Sequence, residues 1–175
     1  MTEYIEDFIS VVKYQGFNTQ KAATFESTVS ITGVATFAAV PVFSSGLVAS
    51  TEVVTATNVI TAAESGKTFY LSAAAGFEST LPTAAAGLYF KFVVKTAPTS
   101  NGYTITGSPA DKIQGSVSSN GAETEANGIL ASDSDNAILV ANQALVGDWI
   151  AFNSDGTNWY ASGMVAALAG LTFNG

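Results

Sequence analysis

The sequence predicts an all-β protein. Its expected form is an antiparallel β-sandwich or jelly-roll head over residues 51–175, an extended β-strand connector over 23–50, and a short N-terminal arm over 1–22. Three observations predict it. From about residue 52, short runs of alternating apolar and polar residues follow one another with no helical run between them. Turn pairs punctuate them at Ser65-Gly66, Ala75-Gly76, Ala86-Gly87, Asn101-Gly102, Asn120-Gly121, Asn127-Gly128 and Asp155-Gly156. Upstream, TFESTVSITGVATFAAVPVFSSG (residues 24–46) is β-prone and almost uncharged, yet too short to build a core by itself.

The arm comes first. Ile5, Phe8, Ile9 and Val12 fall at i, i+3, i+4 and i+7, the spacing of one helical face. Thr2 can cap such a helix, and Glu3, Glu6 and Asp7 suit its positive end. A helix this short is marginal alone in water. It reads either as a frayed terminal helix or as an anchor that orders on a partner, and Val11, Val12 and Tyr14 leave a strand open. Residues 16–22 read as a loop or linker.

In the connector, Ala23-Thr24-Phe25 and Ala35-Thr36-Phe37 open two similar runs, closed by Gly33 and Gly46. Val29 and Ile31 alternate with Thr28, Ser30 and Thr32, the period of a half-buried strand. Pro41, between Val40 and Val42, confines its strand to an edge or a bulge. The segment offers strand edges without a partner of its own.

The head supplies the strand candidates EVVTATNVITA, KTFYLSA, FESTLP, GLYFKFVVKT, YTITG, KIQGSV, NAILVANQ, GDWIAFN, NWYASG and LAGLTF. In GLYFKFVVKT the period of two puts Leu88, Phe90, Phe92 and Val94 on the core face, and Tyr89, Lys91, Val93 and Lys95 on the other. GDWIAFNSDGTNWYASG predicts a hairpin turning at Asp155-Gly156. Residues 116–136, rich in Ser, Asn, Gly and acids, read as a long exposed loop with room for one short strand.

Composition narrows function. The 175 residues suit one ordinary domain plus an appendage, or two small units. Apolar residues make up 47%, enough for a core, while charged residues make up 11% against a typical ~25%. Apolar surface that a monomer cannot bury marks an interface. With a net charge of −8 and six scattered lysines, no phosphate-led nucleic-acid binding is expected, and anionic membranes are disfavoured for the same reason. The acidic N-terminus is the reverse of a signal peptide, and the apolar runs are too short to span a bilayer. The expectation is a soluble chain made in a cytoplasm.

The absence of histidine and cysteine removes the commonest general base, thiolate chemistry, disulfides and the usual zinc sites. Paired carboxylates remain, Asp133 with Asp135 or Glu123 with Glu125, the arrangement of glycoside hydrolysis. Both pairs lie in the polar stretch and read as solvated loop acids. Asp133-Ser134-Asp135-Asn136 is similar to part of a calcium loop but lacks its glycine and distal glutamate. No glycine-rich stretch has the Lys-Ser/Thr and helix of a phosphate loop. Trp149, Trp159 and Tyr160 are the candidate ligand-binding aromatics, as a sugar-stacking platform, with core or edge packing as the alternative. No enzymatic constellation survives, and no cofactor is expected.

One resemblance is carried by particular residues. VITAAESGKTFYLSAAAGFESTLPTAAAGLYFKFVV, with its Thr61–Thr68 run and Thr80-Leu81-Pro82, resembles a module of tailed-phage virion proteins. Ala110–Gly115 and Asp155–Tyr160 look like further pieces of it, so the resemblance covers about residues 59–163. The module occurs in head decoration proteins, head fibres and tail fibres, usually as trimers. The connector is similar to strand segments of fibre shafts, in which three chains supply one another's partners.

The resemblance implies a structural, non-enzymatic homotrimer on the capsid surface of a virion, either a capsid decoration (cement) protein or a head fibre. Its expected partner is the major capsid protein, docked through Ile5, Phe8, Ile9 and Val12. Phe25, Val29, Ile31, Phe37 and Val42 would form the trimer interface. The alternative is a tail-fibre module that binds a host-surface glycan.

Overall fold

A computed structural model describes residues 48–119 and 129–174. They belong to a compact unit spanning Gly46–Gly175. The arm and the expected trimer-interface residues lie outside the described residues.

The seven-stranded sheet contains β1 (Thr51–Val54), β3 (Thr68–Leu71), β5 (Tyr89–Val94), β7 (Ile113–Ser119), β8 (Ile129–Asp135), β10 (Trp149–Ser154) and β11 (Trp159–Val165), in the order β1-β3-β5-β10-β11-β7-β8. The five-stranded sheet contains β2 (Asn58–Val59), β4 (Phe77–Thr80), β6 (Tyr103–Thr106), β9 (Ala137–Val140) and β12 (Leu171–Asn174), in the order β12-β9-β6-β4-β2. Two 3-10 turns, Ala62–Glu64 and Leu168–Gly170, sit in connections, and no α-helix occurs among the described residues.

The two sheets form a β-sandwich, as expected, but it is not an antiparallel one. From β1 to β6 the chain changes sheet at every step, so alternate strands become neighbours running the same way. β1, β3 and β5 are parallel, and so are β2, β4 and β6. A parallel pair needs a crossover connection. Here a strand of the opposite sheet supplies it in place of a helix. The chain then reverses: β9 runs antiparallel to β6, and β10 runs antiparallel to both β5 and β11. Both sheets are therefore mixed.

The second correction concerns residues 116–136. Residues 116–119 continue β7, and 129–135 form β8, antiparallel to it with a register shift between Ile113 and Gly115. Ser and Asp are weak strand formers, and the β7 ladder overrides that preference.

The core lies between the sheets. Phe69, Leu71, Phe90, Phe92, Ile150, Phe152 and Trp159 face Tyr103, Ile105, Ile138, Val140 and Leu171, all nearly free of solvent. Phe69 stacks on Phe92 at 5.3 Å, and Phe92 meets Phe152 edge-on at 5.7 Å. Such pairs add about 0.5–1.5 kcal/mol each beyond the area they bury.

Buried polar groups hold the crossings. The Tyr103 hydroxyl accepts from Ala73 N–H at 2.9 Å and lies 2.8 Å from Ala73 O and 2.6 Å from Thr96 O. Burial raises its pKa, against the opposing effect of the Ala73 hydrogen bond. Buried Asp148 accepts from Leu145 N–H and Ala166 N–H, both at 2.9 Å, and ties the β9–β10 connection to the one after β11. Asp111 accepts from Ala84 N–H at 2.7 Å.

Gly115 tests how closely β7 approaches β11. Its φ is 126°, and a Cβ there would stand 2.0 Å from Ala161 O. Gly87 has φ 83° with open space around it. Both Gly→Ala changes incur backbone strain of about 1–3 kcal/mol. Gly115→Ala adds a backbone clash, so denaturant unfolding should show the larger loss for it. Equal losses would mean that β7 and β11 are not packed this closely.

Candidate functional site

The outward face of the seven-stranded sheet is the candidate site. Pairing registers set its cross-strand rows. One row runs Val53, Tyr70, Val93, Trp149 and Met164 across β1, β3, β5, β10 and β11. It is apolar throughout, with Val53 48% and Met164 45% exposed. The row exists because each strand places an apolar residue at the outward register position, where a solvated face ordinarily carries polar ones.

At one end the row opens into a depression of about 390 Å³, lined by Thr51, Val53, Tyr70, Val93, Lys95 and Val146. Lys91 lies one row away with its Nζ 4.6 Å from the centre of the Trp149 ring, a cation–π contact. Val146 and Leu145, on the connection before β10, are largely exposed beside it.

A second row carries Tyr89, Asn153 and Tyr160 across β5, β10 and β11. All three are exposed. The Tyr160 hydroxyl donates to Asp155 Oδ2 at 3.0 Å, and Asp155 Oδ1 accepts from Thr157 N–H and Asn158 N–H. The Asn158 N–H, then the Thr157 N–H and then the Tyr160 hydroxyl hold the Asp155 carboxyl below its usual pKa. The same bond to Asp155 raises the Tyr160 phenol above its own. The hydroxyl is thereby tethered while the residue stays 42% exposed.

The candidate aromatics do not form one platform. Trp159 points inward and is fully buried, 5.7 Å from Phe90 and 6.5 Å from Phe152. Trp149 is half-buried and Tyr160 exposed, and both face outward in different rows. One residue of the i, i+1 pair Trp159-Tyr160 must face the core, and the larger apolar ring does.

Asp133–Asn136 lie at the end of β8 and just after it, not in an open loop. Glu123 and Glu125 lie outside the described residues. No cluster of three or more Asp, Glu, His or Cys able to hold a metal occurs among the described residues. No helix among them is long and apolar enough to cross a membrane. The apolar row and the Tyr89–Asn153–Tyr160 row are features that sequence reasoning missed. The outward alternation of β5 was the available signal, but rows appear only once the strand order is known.

Comparison with protein-family models, with curated proteins and with solved structures gives no match. By architecture the chain is a mixed two-sheet β-sandwich.

Replacing Tyr160 by Phe removes one of three donors to Asp155. The Asp155 titration midpoint, read by carboxyl NMR shifts, should rise yet stay below the ordinary value, because the two backbone donors remain. An unmoved midpoint would mean that the hydroxyl is not engaged.

Proposed function

We propose that the chain is a structural virion protein, a capsid decoration or head-fibre protein that works as a homotrimer. Residues 1–22 dock on the major capsid protein, and the β-sandwich projects outward. The observation that carries this reading is the apolar row from Val53 to Met164, on the outside of a sandwich whose own core is already full. An apolar band of this length on a solvated face suits assembly. The amphipathic arm, the almost uncharged connector and the resemblance of residues 59–163 to phage virion modules support the same reading. No catalytic role is assigned.

Binding of the arm would draw on Ile5, Phe8 and Ile9, at about 1.5–3 kcal/mol for each side chain fully buried. Three arms on one trimer would add avidity. Analytical ultracentrifugation should therefore give a trimer at micromolar concentration, and a stable monomer would sink the proposal. Deleting residues 1–20 should leave a folded head that no longer sediments with capsids. Retained binding would remove the arm from the account.

The Tyr89–Asn153–Tyr160 row favours a second reading, recognition of a host-surface glycan. Two tyrosine rings flank an amide at the surface, and stacking faces beside a hydrogen-bonding group suit sugars. A glycan array probed with the protein should give hits that Tyr160→Ala abolishes. Silence across a broad array would end this reading without touching the first.

A further inference from the structure

The outer face of the seven-stranded sheet departs from the rest of the protein in charge. The chain carries −8, yet no outward position of β1, β3, β5, β10 or β11 holds a carboxylate. Lys91 lies among those positions, and Lys95 follows β5 at the depression. Neither lysine has an ion-pair partner among the described residues. Lys67, by contrast, is held by Glu52 and Glu64, both at 2.7 Å. On the other sheet, the outward position of β4 is Glu78, in register with Thr104. An apolar groove with unpaired cations on its rim selects an apolar segment that brings its own carboxylates.

A second copy of the same face does not meet that requirement. In an isologous contact a patch meets itself. The outward positions of those five strands would then offer Lys91 and Lys95 no carboxylate. The chain does contain a segment of the required character. Residues 2–12, TEYIEDFISVV, set Glu3, Glu6 and Asp7 among Ile5, Phe8 and Ile9 and contain no lysine or arginine; Lys13 follows them.

We propose that this face is the docking surface for the acidic N-terminal segment of a second copy of the chain. Phe8 and Ile9 enter the depression beside Val53, Tyr70 and Val93, and the acids meet Lys91 and Lys95. The inference rests on the self-association in the reading above but not on a capsid. The contact joins two different surfaces, so it is heterologous and closes into a ring when the rotation allows. It also sets up a competition. A segment seated on a neighbour is withheld from any other partner that needs the same apolar residues.

Zero-length carbodiimide cross-linking tests this on full-length chain, with 14N and 15N protein co-refolded and the cross-linked peptides mapped by mass spectrometry. The Lys67 links to Glu52 and Glu64 serve as internal controls. Mixed-isotope links from Lys91 or Lys95 to Glu3, Glu6 or Asp7 are expected. They should fall several-fold in about 1 M salt, where the screening length is ~3 Å, while the control links persist better. They should fall similarly in the Phe8→Ser/Ile9→Ser variant, whose control links report an intact head. Control links without mixed-isotope arm links, or arm links confined to a single chain, would overturn the proposal. So would arm links that survive the double substitution. Capsid sedimentation is a separate measurement, so failure of this contact and failure of the capsid reading are distinguishable.

Discussion

The structure depends on one constraint: the chain passes from one sheet to the other at nearly every connection. Each pass lays down a strand that shields the previous one from water, and the next pass returns beside the strand before it. Parallel pairing follows from this path. So does the single shared core, because every strand from β1 to β7 turns one face toward the opposite sheet. Such a path leaves little room at the crossings. A Cβ on Gly76 would stand 1.7 Å from Gly102 O, so the turn after β3 and the turn before β6 touch backbone to backbone. Positive φ at both glycines (70° and 77°) completes the requirement.

The crossings also decide where buried polar groups sit. A connection that dives between layers brings N–H and C=O groups away from water, and each needs a partner. Tyr103, from the five-stranded sheet, serves Ala73 and Thr96 on connections leaving the other sheet. Asp148 serves two connections at once, and Asp111 serves the one between β4 and β5. Leaving such a group unpaired costs about 1–3 kcal/mol. These side chains therefore tie down the connections that follow β3, β5 and β11 and the one that precedes β10.

Much of this was legible in the sequence, and what was not has a common cause. Alternation within one strand reports which face is buried, so Phe90, Phe92 and Val94 were placed correctly from GLYFKFVVKT alone. A two-residue turn signal reports a local conformation, and the glycines of five signalled pairs, Gly66, Gly76, Gly87, Gly102 and Gly156, have positive φ. Neither signal identifies a strand's neighbour. Asp155-Gly156 closes a true hairpin, while Ala75-Gly76 turns the chain into the opposite sheet. Nothing local separates the two cases. The same gap hid β8, which is a strand because β7 pairs with it. It also hid the division of Trp149 from Trp159, since their faces depend on register across the turn.

The outer face is where the pairing carries most meaning. Outward positions are free of the packing demands of the core, so their residue types are not dictated by the fold. Polar residues there would cost the sandwich nothing, and the five-stranded sheet uses Thr104 and Thr172 at such positions. An apolar row beside two lysines that have no ion-pair partner among the described residues is not required by the sandwich's own core. The Tyr89–Asn153–Tyr160 row is shorter and polar at its centre, and its ring is tethered through Asp155. The first row suits a contact that excludes water over a length, and the second a small ligand that stacks and hydrogen-bonds. Both lie on one rigid sheet, so a partner on the first row brings its bulk close to the second. The two proposed roles would therefore be coupled by space alone.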